Sequence, residues 1–481
     1  MSNTRKYDVI VVGAGISGLL SALALSKEGK QVLIIEKESF IGGVCRSYDV
    51  DGYIVDTGPH AITRLDSGPL KELMDRYFDV IPNFVPLGNY YVRMNGRIKS
   101  FPWSVKEWFL FDLLPMEDRA ILMKSVFDVI YMLSIGRDLS SVSLADVVPK
   151  NISNDTSFFL DYLSHFMLGT SITNAPVSRF IDSKDYKQYD GNGEGSNTGS
   201  YVGRLYNLLI GGRPTDQMYT RGGIQKIIDS ILLSLPKNVK INLNEKLMAI
   251  YVTKKRSIGL NISEVEGIST DKEEYECDVL IYSGNASELP GLIRHNLPDE
   301  YIQNVNSIKK VDSLTIWLGL EEKVIDTYGT EMWVSTDQSK LHTWLIPTSN
   351  YNPYLAPKDK QLLGFAFIVP ENLNNKDIKH MARETIFTTN PEIEKHVEMI
   401  HYQELVPEKA CWSLNSGFGD VETPIMNLYS VGSDAEKRSM GITRSSYSVL
   451  RMVNLLHACH AYEHDVSLQE KYVVKSFNSE H

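Results

Sequence analysis

Three glycines, an acid and a second glycine pair carry the strongest chemical signal in the chain. Gly13, Gly15 and Gly18 have the GxGxxG spacing. In that spacing the first glycine permits a tight bend, the second lets a pyrophosphate approach the backbone, and the third lets a helix close on a strand. Glu36, with Lys37 beside it, follows about twenty residues later, where a carboxylate accepts both hydroxyls of an adenosine ribose and repels a 2′-phosphate. Gly42, Gly43 and Arg46 then stand together in GGVCRS. The chemistry this pattern can perform is the binding of a dinucleotide.

These residues need particular elements to position them. Asp8 to Val12 is a short β-branched run suited to a buried parallel strand. A helix is expected from about Ser17 to Lys27, closed by Gly29 and Lys30. Its opening residues, Ile16 and Ser17, aim N–H groups and a partial positive charge at the phosphates. Gln31 to Ile35 reads as the next strand, ending at Glu36.

The GGxxRS stretch resembles that of the flavoprotein amine oxidase superfamily, which includes protoporphyrinogen oxidases and phytoene desaturases, and this resemblance implies FAD as the cofactor. It extends further. Asp56, Gly58 and Pro59 in VDTGPH are similar to the segment those families lay over the flavin ring. The stretch MYTRGGIQKIIDSILLSLPKNVKINLNEKLMAI resembles their motif for a backbone contact to adenine, with Leu247 at the contact position. Gly432, Asp434, Gly441 and Ile442 in NLYSVGSDAEKRSMGITRSSYSVL match the last FAD motif, in which a helix N-terminus faces the flavin. One departure stands out: the small residue pair usual in the closing helix is replaced by Ser445, Ser446 and the bulky Tyr447.

The remaining composition narrows the function. With 481 residues, 43% hydrophobic, the chain can bury a large core and make two joined domains. Sixty acids against 49 bases give a formal charge of −11, which argues against a nucleic-acid partner. Cys45, Cys277, Cys411 and Cys459 lack metal-ligand or disulfide spacing, so reduced and mostly buried thiols are expected. The sequence runs from MSNTRK straight into the first strand and has no long uncharged apolar run, which predicts a cytoplasmic protein without a transmembrane helix. Peripheral membrane contact stays open. No HExxH, P-loop, hydrolase triad or second dinucleotide fingerprint occurs.

The non-contiguous motifs imply an α/β fold in which a Rossmann-like FAD-binding domain, residues 1–85, 215–290 and 400–460, carries an inserted α+β substrate domain. That insertion would comprise residues 86–214 and 291–400, leaving a tail at 461–481. Within it, MNGR reads as a hairpin turn, and a helix is expected from Pro115 to about Gly136. The apolar cluster from Trp103 to Leu114 is read as core, with a membrane-docking lip as the alternative. Residues 183–200 are read as a loop or lid. SLTIWLGL, MWVSTD, LHTWLIPT and LLGFAFIV predict a mostly antiparallel sheet, whose Trp317, Trp333 and Trp344 either pack or line a pocket.

A flavin performs hydride transfer itself, so few catalytic groups are needed. His60, beside the expected flavin-covering segment, is the candidate for coupled proton transfer; hydrogen bonding to backbone or flavin is the competing role. The expected function is hydride transfer from a large, mostly apolar substrate to flavin N5, with oxygen, a quinone or another protein as electron acceptor. The alternatives are a polyprenyl reductase, a flavin isomerase resembling UDP-galactopyranose mutase, and a catalytically idle FAD-binding assembly protein. A mutase would draw on Arg93, Arg97, Arg204, Arg213 or Arg221 to clamp a pyrophosphate.

Overall fold

The computed structural model of the chain describes residues 5–58, 61–181, 216–257, 260–337, 340–369 and 375–458. Its frame is a seven-stranded sheet whose centre is parallel. β1 (Arg5–Val12) lies between β2 (Val32–Ile35) and the strand Glu274–Tyr282, parallel to both. The strands Val239–Asn242 and Leu428–Ser430 extend the parallel part outward. Between β1 and β2 runs α1 (Ile16–Lys27), every residue of which from Ile16 to Ser26 is buried. A helix covered on all sides explains why this segment is apolar throughout rather than striped. It packs against helices Gln225–Ser234 and Pro69–Tyr77.

A second seven-stranded sheet runs in the order 397–408, 311–320, 361–368, 343–346, 329–334, 89–94 and 97–100. All four segments expected to form strands there do so. Neighbours pair antiparallel except Asn89–Met94 with Gly329–Val334, which are parallel. Its last hairpin turns at Asn95 and Gly96, both at positive φ (51° and 73°), as a type I′ turn requires. The strand Val397–Glu408 pairs with Val311–Leu320, so the chain leaves the second sheet near residue 408 rather than at the boundary of 400 expected from sequence.

Helix Met116–Ser134 begins directly after Pro115, and Gly136 follows it at φ 81°. The apolar cluster before it divides between two environments. Phe111, Leu113 and Leu114 are buried, Trp103 and Trp108 pack against the core, and Leu110 stands 68% exposed. The loop or lid expected at 183–200 lies outside the described residues, as do Pro59, His60, Arg204, Arg213 and Cys459. Among the described residues, no helix is long and apolar enough to cross a membrane.

Cys45, Cys277 and Cys411 are free and buried. Burial pushes the Cys45 thiol up to about 12, with the Asp56 carboxylate adding to the effect, and Cys277 is raised to about 12 mainly by burial. Thiolates are the reactive form, so both should be inert in the folded protein. We expect mass spectrometry after maleimide treatment to find Cys45 and Cys277 unmodified at neutral pH, and both labelled once guanidinium is added.

Candidate functional site

The first turn after β1 is shaped by close backbone packing. A Cβ on Gly18 would lie 2.0 Å from the Gly13 carbonyl oxygen, so only glycine lets α1 sit this close to the strand. Around Gly15 the reverse holds: a Cβ there would meet nothing within 4 Å. The turn is therefore tight on its inner side and clear on its outer side. The clear side faces the start of α1, whose N-cap Gly15 supplies no side-chain cap and whose first turn contains no acid. The opening N–H groups of a helix lack intrahelical acceptors, which makes this end a ready anion site.

The second glycine pair backs onto the first. Gly42 bridges to Gly15 and donates its N–H to the Ala14 carbonyl at 2.8 Å, and a Cβ on Gly43 would come within 3.3 Å of the Gly15 Cα. Arg46, four residues on, lays its guanidinium 3.5 Å from the centre of the Phe40 ring. Its buried Nε has no hydrogen-bond partner.

Glu36 is buried at the end of β2. Its carboxylate accepts from the Ala14 N–H at 2.7 Å and the Glu38 N–H at 2.9 Å, which fixes it beneath the glycine turn. Lys37 points outward. The adjoining segment carries Leu247: Glu245 N–H donates to the Glu36 carbonyl at 2.9 Å, and Leu247 opens the strand Leu247–Ser257 in a buried position.

The C-terminal motif reaches the same region. Asp434 Oδ2 accepts from Ala286 N–H at 2.6 Å, in the loop after Glu274–Tyr282, while its Oδ1 is buried without a partner. A Cβ on Gly432 would meet that Oδ1 at 3.0 Å. Gly441 opens the helix 441–458, and Ile442 packs in the same core cluster as Ile16. The site thus offers helix N–H donors at α1, the buried carboxylate of Glu36 and a partnerless buried carboxylate oxygen on Asp434. These residues fit FAD.

Gly58, at φ 83°, meets the second sheet directly; a Cβ there would stand 3.1 Å from Leu405 Cδ1. One side chain secures it. Gln403 Oε1 accepts from Gly58 N–H (2.9 Å) and Trp317 Nε1–H (3.0 Å), and Gln403 Nε2 donates to the Asp56 carbonyl (2.8 Å) and Tyr48 hydroxyl (2.7 Å). Trp317 also donates to the Asp56 carbonyl at 3.0 Å. Trp317 and Trp333 are buried packing residues, whereas Trp344 is partly exposed.

Several of these groups carried no sequence signal. Gln403, Tyr48 and Arg64 lie outside recognisable motifs. Arg438 stacks 4.1 Å above the Tyr447 ring, and Arg64 donates to the Tyr447 hydroxyl at 3.2 Å. The large residue in the closing helix is therefore held between two guanidinium groups. Arg438 is also paired with buried Glu436 at 2.7 Å. Burial raises the Glu436 carboxyl, but the hydrogen bonds and charge of Arg438 outweigh this and leave it lowered.

Residues 11–77 match the family model described as an NAD(P)-binding Rossmann-like domain. An uncharacterized protein in the nifH2 3′ region of Methanothermococcus thermolithotrophicus is 54% identical over 100 residues, covering 21% of this chain and 96% of that protein, so the two share a family. The all-trans-retinol 13,14-reductase of Danio rerio is 26% identical over 277 residues, 51% of this chain and 44% of the reductase. A 1-hydroxycarotenoid 3,4-desaturase from Flavobacterium sp. is 36% identical over 74 residues, 15% of this chain and 14% of the desaturase. The chain thus spans less than half the length of these two named relatives.

Solved structures match almost end to end. An oxidoreductase from Methanosarcina mazei superposes with TM-score 0.71 at 20% identity, covering 93% of this chain and 100% of that one. A putative protoporphyrinogen oxidase from Exiguobacterium sp. 255-15 gives 0.64 at 14% identity, covering 95% and 99%. At these identities the likeness shows a shared fold, that of the structures named here. The same fold extends to reduced UDP-galactopyranose mutase, with TM-score 0.62 at 16% identity, covering 94% and 96%.

Two outcomes are expected. Glu36→Arg should leave circular dichroism unchanged but lower flavin retention about tenfold or more, read as the ratio of flavin to protein absorbance after gel filtration. Gln403→Leu strands the Gly58 N–H and leaves Trp317 with the Asp56 carbonyl as its acceptor, and denaturant titration should show a stability loss of about 1–3 kcal/mol.

Proposed function

We propose that this protein is an FAD-dependent oxidoreductase that transfers hydride between FAD and a large, apolar, conjugated substrate. The glycine turns, Arg46, Glu36, Leu247, Asp434 and the N-terminus of helix 441–458 hold the cofactor in this reading, with Gly58 and Pro59 covering its ring. When bound, FAD exchanges a hydride at N5. The chain's residues then have to hold a carbon against the ring and exclude water.

The observation that carries the reading is an aromatic ladder between the second sheet and helix Asn154–Leu168. Buried Trp317 and Tyr90 share a core cluster with the partly exposed Trp103, Phe166 and Trp344. Tyr90 meets Trp103 and Phe166 edge to face at 5.7 and 6.0 Å, and Phe166 meets Trp344 at 5.5 Å. Such a ladder offers apolar area and ring edges to a flat polyene and few charges to a polar substrate. The names of the retinol reductase and carotenoid desaturase relatives favour the same substrate class in opposite redox directions. Oxygen or a quinone is the proposed acceptor in the oxidative direction. The exposed Phe109, Leu110 and Met116 would give an apolar substrate a membrane-facing approach.

His60 is proposed to move the proton that accompanies hydride transfer. A mutase is less well supported. Arg93 is engaged by buried Glu331 at 2.8 Å, Arg97 by Asp112 at 2.5 Å, and Arg221 donates to Tyr354 at 3.0 Å, so these three are already committed within the fold.

Anaerobic mixing decides between these readings. The oxidised protein should bleach its flavin band with a carotenoid or porphyrinogen donor, or the dithionite-reduced protein should regain that band with a polyene or polyprenyl acceptor. Turnover should fall about 100-fold in His60→Ala. Silence toward all of these with turnover of UDP-galactopyranose would replace this reading with the isomerase.

A further inference from the structure

Asp161 and His165 stand four residues apart on helix Asn154–Leu168 and so share one face. His342, immediately before the strand Thr343–Ile346 of the second sheet, meets them there. His342 Nε2 lies 3.2 Å and His165 Nδ1 3.5 Å from the same oxygen, Asp161 Oδ2. One ligand-type atom from each residue lies within 4.8 Å of the others. Ligand atoms about 2.0–2.1 Å from a tetrahedral ion are roughly 3.4 Å apart, so both nitrogen-to-oxygen separations already have the spacing of a metal shell.

The surroundings favour the same use. The imidazole rings stack at 4.4 Å and 20°, and Tyr162 sets its ring edge against His342 at 5.4 Å. Asp161 Oδ1 accepts from Ile172 N–H at 3.2 Å, which aims the carboxylate. Burial, assisted by His342, lowers the His165 imidazole and favours its neutral form. Burial raises Asp161, but the histidines and the Ile172 amide outweigh it and keep the carboxylate ionised. Neutral imidazole and ionised carboxylate are the ligating forms. Beside Asp161 lies an open depression of about 400 Å³, lined also by Asn154, Ser157, Phe158 and Ile172, with room for water to complete the shell. His165 Nδ1 is also 2.9 Å from the Asp161 backbone oxygen, so ligation replaces that hydrogen bond or uses the other ring nitrogen.

We propose that Asp161, His165 and His342 bind one divalent first-row transition-metal ion of the Zn²⁺ type, clipping helix Asn154–Leu168 to the second sheet. Two imidazoles and one carboxylate with open positions suit such ions better than Mg²⁺ or Ca²⁺. The proposal does not rest on the proposed substrate.

The test uses the flavin-loaded full chain, stripped with a chelator and titrated with Zn²⁺ by calorimetry and with Co²⁺ by visible absorption to the red of the flavin band. One equivalent of Zn²⁺ should bind, Co²⁺ should give d–d bands that Zn²⁺ displaces, and the melting temperature should rise with Zn²⁺. His342→Ala and Asp161→Asn should each weaken binding about 100-fold or more, whereas His380→Ala, at an exposed histidine on another helix, should bind as wild type. Wild-type protein that takes up neither ion overturns the proposal, as does wild-type affinity in both ligand variants. Should a variant fail to fold, the wild-type Co²⁺ spectrum decides: tetrahedral bands of nitrogen and oxygen ligation support the site, and their absence removes it.

Discussion

The buried carboxylate of Asp56 ties the two sheets to one cofactor site. Only 1% exposed, it cannot shed its charge into water, and a carboxylate taken from solvent needs partners or it destabilises the fold. The partners come from across the chain. Ser47 Oγ donates to Oδ1 at 2.6 Å, Ile224 N–H donates to the same oxygen at 3.1 Å, and the Tyr219 hydroxyl donates to Oδ2. Those bonds join the segment after the second glycine pair to the start of helix Gln225–Ser234. The Asp56 backbone carbonyl is meanwhile held by Gln403 and Trp317 of the second sheet. A single residue therefore fixes Gly58 relative to both halves of the molecule.

This arrangement explains the chemical economy of the site. Ionisable groups near it are already engaged: Asp56 by three donors, Glu436 by Arg438, Glu36 by two amides. What the second sheet presents toward the Asp56–Gly58 segment is tryptophan, leucine, threonine and one amide. Such a wall orients and dehydrates. The acid–base demand then falls on very few side chains, which is why His60 is proposed to move the proton.

The parts of the site legible in the sequence are those built by local geometry. Gly13, Gly15, Gly18 and Glu36 fall within one strand–helix–strand unit, where spacing along the chain fixes position in space, and the hairpin at Asn95–Gly96 follows from backbone conformation alone. The presence of most strands of the second sheet was similarly readable from alternating and β-branched runs, whereas Val397–Glu408 was not. Gln403 was not legible: its partner Gly58 is 345 residues away, and nothing in the neighbourhood HYQELV distinguishes it from any strand glutamine. Arg438 and Arg64 reach Tyr447 from opposite ends of the chain, and the sequence offered only the bulk of Tyr447 as a departure. The Asp161, His165 and His342 cluster carries no local signal for the same reason, since a helix supplies two members and the residue preceding a strand about 180 residues later supplies the third.

The order in which the chain visits its sheets bears on its assembly. The first sheet receives strands from residues 5–12, 32–35, 239–282 and 428–430, and the second from 89–100 and then 311–408. A nascent chain can form the glycine turn early, since that turn needs only neighbouring residues. It cannot seat Gly58 until the strand Val397–Glu408 has emerged, nor supply Asp434 until later still. Contacts this distant in sequence make folding slow and leave apolar strand edges waiting for partners. Vectorial synthesis therefore separates formation of the glycine turn from the seating of Gly58 against the second sheet, and chaperone protection would matter most in the interval between them.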